Sequence, residues 1–232
     1  MRMRTKKWAR PELEVCPFYL KAPQDNKGKW KYAYKKQQPL WLELGCGKGY
    51  FLAQIASENQ DKNFLAIDLS SDMLGLTKRN IEKMYAEKKL PTENVMITWQ
   101  NIERIKNIID GDIFERIYIN FCNPWHKPSQ YKKRLTHPRQ LMNYREFLQN
   151  DGEIWFKTDD DGLFNHSLGY FEECGFEIIY KTYDLHESGF EPNYITEHEE
   201  MYTKEGIKIK FLIAKKVKLV VSESNVELQK EC

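Results

Sequence analysis

The segment at residues 40–51, Leu-Trp-Leu-Glu-Leu-Gly-Cys-Gly-Lys-Gly-Tyr-Phe, constrains the fold more than any other. Its first half is an apolar run carrying Leu40, Leu42 and Leu44, suited to a short buried strand. Gly45, Gly47 and Gly49 then stand at alternate positions. Glycines let the backbone turn tightly and come close to a ligand that any Cβ would hold off. The helix that follows directs its unpaired N–H groups at that ligand. Glu43 is a carboxylate near the end of the apolar strand, where a charge is costly without a partner. Asp68 closes the next apolar run, Phe64-Leu65-Ala66-Ile67, about twenty residues past the glycines, where an acid commonly holds ribose hydroxyls. No Gly-Lys-Ser/Thr ends the turn, so it is not a P-loop.

From Leu40 onward, strand-like and helix-like segments alternate. This predicts a Rossmann-like α/β fold, a doubly wound and mostly parallel sheet with helices on both faces. Residues 72–89 read as a helix with Ser70 or Ser71 as N-cap. Residues 95–99 form a third strand, followed by Asn101 and a short helix to 108. A strand at 116–121, a helix from Thr136 and Pro138 to 148, a strand at 153–157 and a helix at 163–174 follow. Two further strands lie at 176–183 and 207–215, with a long polar loop at 185–205 between them.

Residues 1–39 are basic, aromatic and without periodicity. They read as an arm in which Trp8, Phe18, Tyr19, Trp30, Tyr32 and Tyr34 could pin parts to the core. The arm is either a solvated lead-in or a contact for an acidic partner. Residues 40–216 form the domain, and 217–232 a short tail.

The net charge of +2 gives no global field for nucleic acid. Local clusters say more: Arg2, Arg4, Lys6, Lys7 and Arg10, then Lys127, Lys132, Lys133, Arg134 and Arg139. The cysteines Cys16, Cys46, Cys122, Cys174 and Cys232 contain no Cys-x-x-Cys, so neither a disulfide framework nor a zinc site is expected. The histidines lack ligand spacing, and Asp159, Asp160 and Asp161 lack calcium-loop spacing, so no metal is assigned. A reducing, cytoplasmic setting fits, with neither a signal peptide nor a membrane span.

Asn120-Phe121-Cys122-Asn123-Pro124-Trp125 follows the fourth strand. Ligands of doubly wound sheets sit beyond the carboxyl ends of strands, which puts Asn123 at a ligand's reactive end. Trp125 offers a face on which a base could stack. The basic residues from Lys127 to Arg139 come directly after this turn, which favours phosphate contacts. Asp159 ends the fifth strand, again at a carboxyl end.

Together these features resemble the bacterial tRNA (guanine-N7)-methyltransferases, class I enzymes dependent on S-adenosylmethionine. The resemblance spans nearly the whole chain. It is carried by Glu43-Leu44-Gly45-Cys46-Gly47-Lys48-Gly49, Asn120-Phe121-Cys122-Asn123-Pro124-Trp125, Lys132-Lys133-Arg134-Leu135-Thr136, Phe156-Lys157-Thr158-Asp159 and Thr196-Glu197-His198-Glu199. The resemblance implies a seven-stranded sheet with the last strand antiparallel, and methyl transfer to N7 of a guanine in the variable loop of tRNA. It puts Glu43, Gly45, Gly47, Asp68, Asn101 and Asn123 at the cofactor. Lys127, Lys132, Lys133, Arg134, Asp159, Thr196, Glu197, His198 and Glu199 fall at the tRNA substrate. The protein is then a monomer or homodimer.

Three positions depart from the family. Asparagine stands at 123 and at 101 where aspartate is usual, the former taken as catalytic, and His126 stands where proline is usual. Asn123 is accordingly the candidate catalytic residue here. Asn-Pro-aromatic also resembles the Asn-Pro-Pro-Tyr turn of amino-methyltransferases, so an exocyclic amine is an alternative target. A tRNA-binding homologue that has lost its chemistry is another. A nicotinamide dehydrogenase fits less well, because Gly-x-Gly-x-Gly differs from Gly-x-Gly-x-x-Gly.

Overall fold

The computed structural model describes residues 5–111 and 113–219. Arg2, Arg4, Cys232 and the tail from 220 lie outside the described residues. The elements in chain order are α1 (Ala9–Glu14), β1 (Tyr19–Leu20), β2 (Leu40–Leu44), α2 (Tyr50–Glu58), β3 (Asn63–Asp68), α3 (Ser71–Glu87), β4 (Val95–Trp99) and β5 (Phe114–Asn120). Then come α4 (Pro138–Phe147), β6 (Leu148–Thr158), α5 (Asp161–Glu173), β7 (Phe176–Thr182), α6 (Glu197–Lys204) and β8 (Lys210–Lys216).

Among the described residues, eight strands join one sheet in the order β1-β4-β3-β2-β5-β6-β8-β7. Only β8 runs against its neighbours β6 and β7. From β2 the chain winds outward through β3 and β4, then returns to the other side of β2 for β5 and β6. The reversal leaves a crevice between the carboxyl ends of β2 and β5, which is where such sheets hold ligands. β2 is buried along its whole length. Leu40, Leu42 and Leu44 face the layer of α4 and α5, with Leu141, Tyr144, Phe164 and Phe171. Trp41 faces the opposite layer of α2 and α3, with Phe51, Ile55, Leu74 and Ile81. An apolar strand with both faces covered is what an interior parallel strand requires.

The strand count corrects the expected seven. The eighth strand is β1, a two-residue piece of the N-terminal segment that pairs in parallel with β4. Its neighbour Phe18 accepts a hydrogen bond from the Ile97 amide through its carbonyl, at 2.9 Å. Two residues carry too little pattern for sequence to reveal them.

The long loop is corrected as well, because α6 lies within it. Its start is a capping box. The Thr196 hydroxyl accepts from the Glu199 amide, and the Glu199 carboxylate accepts from the Thr196 amide. Thr-x-x-Glu was a readable helix signal.

The N-terminal segment packs on the domain. Trp30 is fully buried, and its indole Nε1 donates to the Ile108 carbonyl at 2.7 Å. The buried Tyr34 donates to the Phe64 carbonyl at 2.8 Å. α1 lies against α3 where Gly75 meets Ala9, and a Cβ at Gly75 would stand 2.6 Å from that of Ala9. Arg79 completes this contact. Its guanidinium lies over the Trp8 ring at 3.5 Å and pairs with the Glu12 carboxylate. Among the pins expected from sequence, Tyr32 is exposed.

Trp30→Ala removes a fully buried aromatic and leaves the Ile108 carbonyl unpaired. Urea unfolding should show a loss of about 3–5 kcal/mol, the range for large-to-small core changes. A loss below about 1 kcal/mol would mean that the segment contributes little to the core.

Candidate active site

The carboxyl ends of β2 and β5 open into a cavity of about 390 Å³ lined by Glu43, the glycine turn, Phe51, Met73, Asn120, Phe121, Thr196, Glu197 and His198, among others. The turn is held from below. The Gly45 amide donates to the Ile67 carbonyl at 2.8 Å, tying it to the end of β3. Gly49 begins α2 with φ of 75°, and a Cβ there would stand 2.4 Å from the Thr77 methyl. Only glycine meets both demands.

Glu43 is the central acidic group. It is 4% exposed, on the inner face of β2. Its Oε1 accepts from the Asn120 side-chain amide at 3.3 Å. Its Oε2 is buried without a partner among the described residues. Burial pushes its carboxyl up to about 8, with the nearby Asp68 adding to the rise and the Asn120 bond opposing it. A buried acceptor with nothing to accept from, beside an open cavity, fits a cationic or N–H-bearing ligand group. Asp68 bridges the turn and α3, accepting from the Gly47 amide at 2.9 Å and the Ser70 amide at 2.8 Å. Burial raises its carboxyl too, opposed by those two bonds and one from Leu69.

Asn120 and Phe121 line the cavity, yet neither was among the residues singled out by sequence as site residues. The signal was present in Asn120, a polar side chain closing the apolar strand around Ile117 and Ile119. Phe121 has φ of 52° and Trp125 of 45°. Non-glycine residues in that region are strained and gather at functional sites. Phe121 stacks on the His198 ring at 6.0 Å.

The other expected site residues divide. Gly45, Gly47, Thr196, Glu197 and His198 line the cavity with Glu43. Across its rim, Glu197 pairs with Lys48 at 2.7 Å. Asn123 is exposed and not in this lining; its Oδ1 accepts from the Trp125 amide at 3.0 Å, shaping the turn. Asn101 caps the short helix Ile102–Asn107 by accepting from the Glu103 amide, and it too is outside the lining.

Asp159 follows β6 directly, with no partner for its carboxylate among the described residues. Lys127, Lys132, Lys133 and Arg139 are exposed and form no ion pair among the described residues. Lys133 covers the Trp125 ring at 4.9 Å, so one face of that tryptophan is already taken.

Arg134 and Glu199, both expected at the substrate, point inward and are buried. Arg134 is 2% exposed, lies on the Tyr131 ring at 3.7 Å and donates to the Pro124 carbonyl at 2.6 Å. Glu199 is fully buried against Lys157.

A second cavity of about 430 Å³ opens between the N-terminal segment and the start of α3. Lys6, Lys7, Arg10, Ser70, Asp72 and Trp99 line it. Among the described residues no three or more His, Cys, Asp or Glu side chains are grouped to hold a metal, and no helix is long and apolar enough to cross a membrane. Cys16, Cys46, Cys122 and Cys174 are free thiols.

Comparison with known proteins supplies the relationship. Residues 37–212 match the model of a family described as putative methyltransferases. The tRNA (guanine-N(7)-)-methyltransferase of Clostridium perfringens (strain SM101 / Type A) is 58% identical, over 94% of this chain and 100% of its own length. The enzyme of the same name from Acetivibrio thermocellus is 51% identical, over 93% and 100%. Among solved structures, the 16S rRNA methyltransferase KamB superposes with a TM-score of 0.61 at 13% identity, covering 82% of this chain and 94% of that one. A putative S-adenosylmethionine-dependent methyltransferase from Listeria monocytogenes gives 0.51 at 17%, covering 84% and 98%. These two likenesses establish the class I methyltransferase fold. Identity above half, over the full length of the relatives, makes this chain a member of the bacterial tRNA (guanine-N7)-methyltransferase family.

Proposed function

We infer that this protein transfers a methyl group from S-adenosylmethionine to N7 of a guanine in tRNA, and that the target lies in the variable loop. The observation that carries the reading is full-length identity to enzymes of that name. The cavity at the strand-order reversal agrees with it. The donor supplies an electrophilic methyl group on a sulfonium cation. In this reading Glu43, with its unpartnered buried oxygen, Gly45 and Gly47 hold the donor from the cavity lining, and Asp68, outside that lining, braces the turn that carries them. The enzyme acts in the cytoplasm, where tRNA is matured.

Guanine N7 carries a lone pair and no proton, so the chain needs no general base. Its residues must align the base for in-line displacement, and such positioning is worth on the order of 7–11 kcal/mol. Positive charge moves onto the guanine ring during transfer. Asparagine at 123 has no charge to answer it, but its Nδ2 group has no partner among the described residues. An amide donor matches guanine O6 and can orient the ring. Asp159, with a free carboxylate, supplies the negative charge near the guanine. The exposed cations Lys127, Lys132 and Lys133, with Lys6, Lys7 and Arg10 at the second cavity, meet tRNA phosphates. Arg134 serves by holding the turn before them rather than by touching RNA.

Incubation with labelled S-adenosylmethionine and unmodified tRNA, then digestion, should place the label in 7-methylguanosine, and Asp159→Asn should slow its appearance. Label in a methylated adenosine or cytidine would instead favour the exocyclic-amine reading. An unchanged rate for Asp159→Asn would remove that residue from the chemistry.

Reversing charge at Lys132 and Lys133 should weaken tRNA binding and flatten its salt dependence by about 0.7–0.9 in log–log slope per lost phosphate contact. An unaltered slope would exclude this segment from the RNA interface.

A further inference from the structure

We propose that Lys157 is a positioning residue for methyl transfer: its buried pairing with Glu199 and its own backbone carbonyl hold the two opposing walls of the cavity in register. The proposal rests on the reading that this cavity receives the methyl donor.

The first wall is residues 193–199. Thr196 and Glu197 line the cavity from it, with His198 beside them. Lys157, near the end of β6, reaches this segment from beneath. Its Nζ donates to Glu199 Oε2 at 3.0 Å, to the Tyr194 carbonyl at 3.0 Å and to Asn193 Oδ1. An ammonium has three protons, and this one uses all of them within a single short segment. Glu199 is equally committed. Its Oε1 accepts from Asn193 Nδ2 at 2.9 Å and lies 3.3 Å from His186 Nε2, and its Oε2 also takes the Thr196 amide. The side chains of Lys157 and Glu199 are 6% and 0% exposed. Glu199 therefore has no face left for RNA, although the family pattern puts it among substrate contacts.

The second wall is the turn after β5. The Phe121 amide donates to the carbonyl of Lys157 at 2.9 Å. Phe121 lines the cavity and stacks on His198 from the first wall. One residue thus fixes both walls, through its main chain on one side and its ammonium on the other. The outer contacts of the first wall are weaker. Lys48–Glu197 is half exposed, and Gln54 reaches the Ile195 carbonyl at the surface. Exposed pairs of this kind are screened by solvent and cannot hold the segment alone.

A buried charge left without its partner destabilises the whole fold, so single removal of Lys157 is not a clean test. Two variants avoid this. Lys157→Met/Glu199→Gln removes both charges while keeping an amide that can accept from Thr196. Asn193→Ala removes one bond from each partner and leaves the ion pair intact. Each is compared with the wild-type protein in thermal melting, S-adenosylmethionine affinity, tRNA KM and kcat, and hydrogen exchange at residues 193–199.

In the folded double variant we expect kcat/KM to fall by roughly a hundredfold, as for a misplaced reacting group, with weakened donor affinity and faster exchange at 193–199 while β6 stays protected. Asn193→Ala should move all three in the same direction by less, with near wild-type melting. Wild-type donor affinity, kinetics and exchange in Asn193→Ala, or in a folded double variant, would overturn the proposal. Failure of the wild-type protein itself to bind the donor would instead overturn the reading of the cavity.

Discussion

The reversal of strand order at β2 is the constraint on which the rest of the molecule depends. β3 and β5 flank β2 on opposite sides in the sheet, which opens a gap between its carboxyl end and that of β5, walled by the glycine turn and the first turn of α6. Everything placed there is forced close together. Glu43 ends up beside Asn120, which lies 77 residues later in the chain. The same burial that makes β2 stable withholds water from Glu43, leaving a carboxylate poised between its charged and neutral forms. A surface carboxylate would be solvated and indifferent to a ligand. This one has an oxygen that nothing in the described protein satisfies.

Much of this was legible in the sequence for a physical reason. The alternation of buried strands and amphipathic helices is a local property, and the glycine turn is required by backbone geometry at one place. Glu43, Gly45 and Gly47 were therefore readable as candidates, and they line one cavity; of the two serines read as caps of α3, Ser70 is the one that caps it. What escaped depends on long-range packing. Trp30 and Tyr34 were readable as aromatics that could pin the arm to the core, but their partners, the Ile108 and Phe64 carbonyls, were not. Arg134 reads as one more cation in a basic run. Its burial follows from the Pro124 carbonyl and the Tyr131 ring, which no spacing rule anticipates. Lys157 likewise sits in an apolar strand, and its partner Glu199 lies 42 residues on.

On the proposed reading, two tasks that a single aspartate could combine are separated. Asn123 shapes the turn through its own Oδ1 and retains an amide donor, whereas free negative charge resides on Asp159 directly after β6. Transfer to a lone pair needs alignment more than proton movement, so the loss of charge at 123 is compatible with the chemistry. The two strained residues Phe121 and Trp125 bracket Asn123, and Lys157 and Arg134 hold that strained turn from either side.

Titration calorimetry of S-adenosylmethionine binding, in buffers of differing ionisation enthalpy, tests the central claim that Glu43 receives the cationic donor. With its carboxyl raised to about 8, Glu43 is mostly protonated in the free protein near neutral pH. A cationic ligand favours the carboxylate, so binding should release a proton below that value. Affinity should then rise with pH until the free carboxyl ionises and level off above it, and Glu43→Gln should abolish both effects. A binding heat that does not depend on the buffer, with the same affinity across that pH range, would contradict the account.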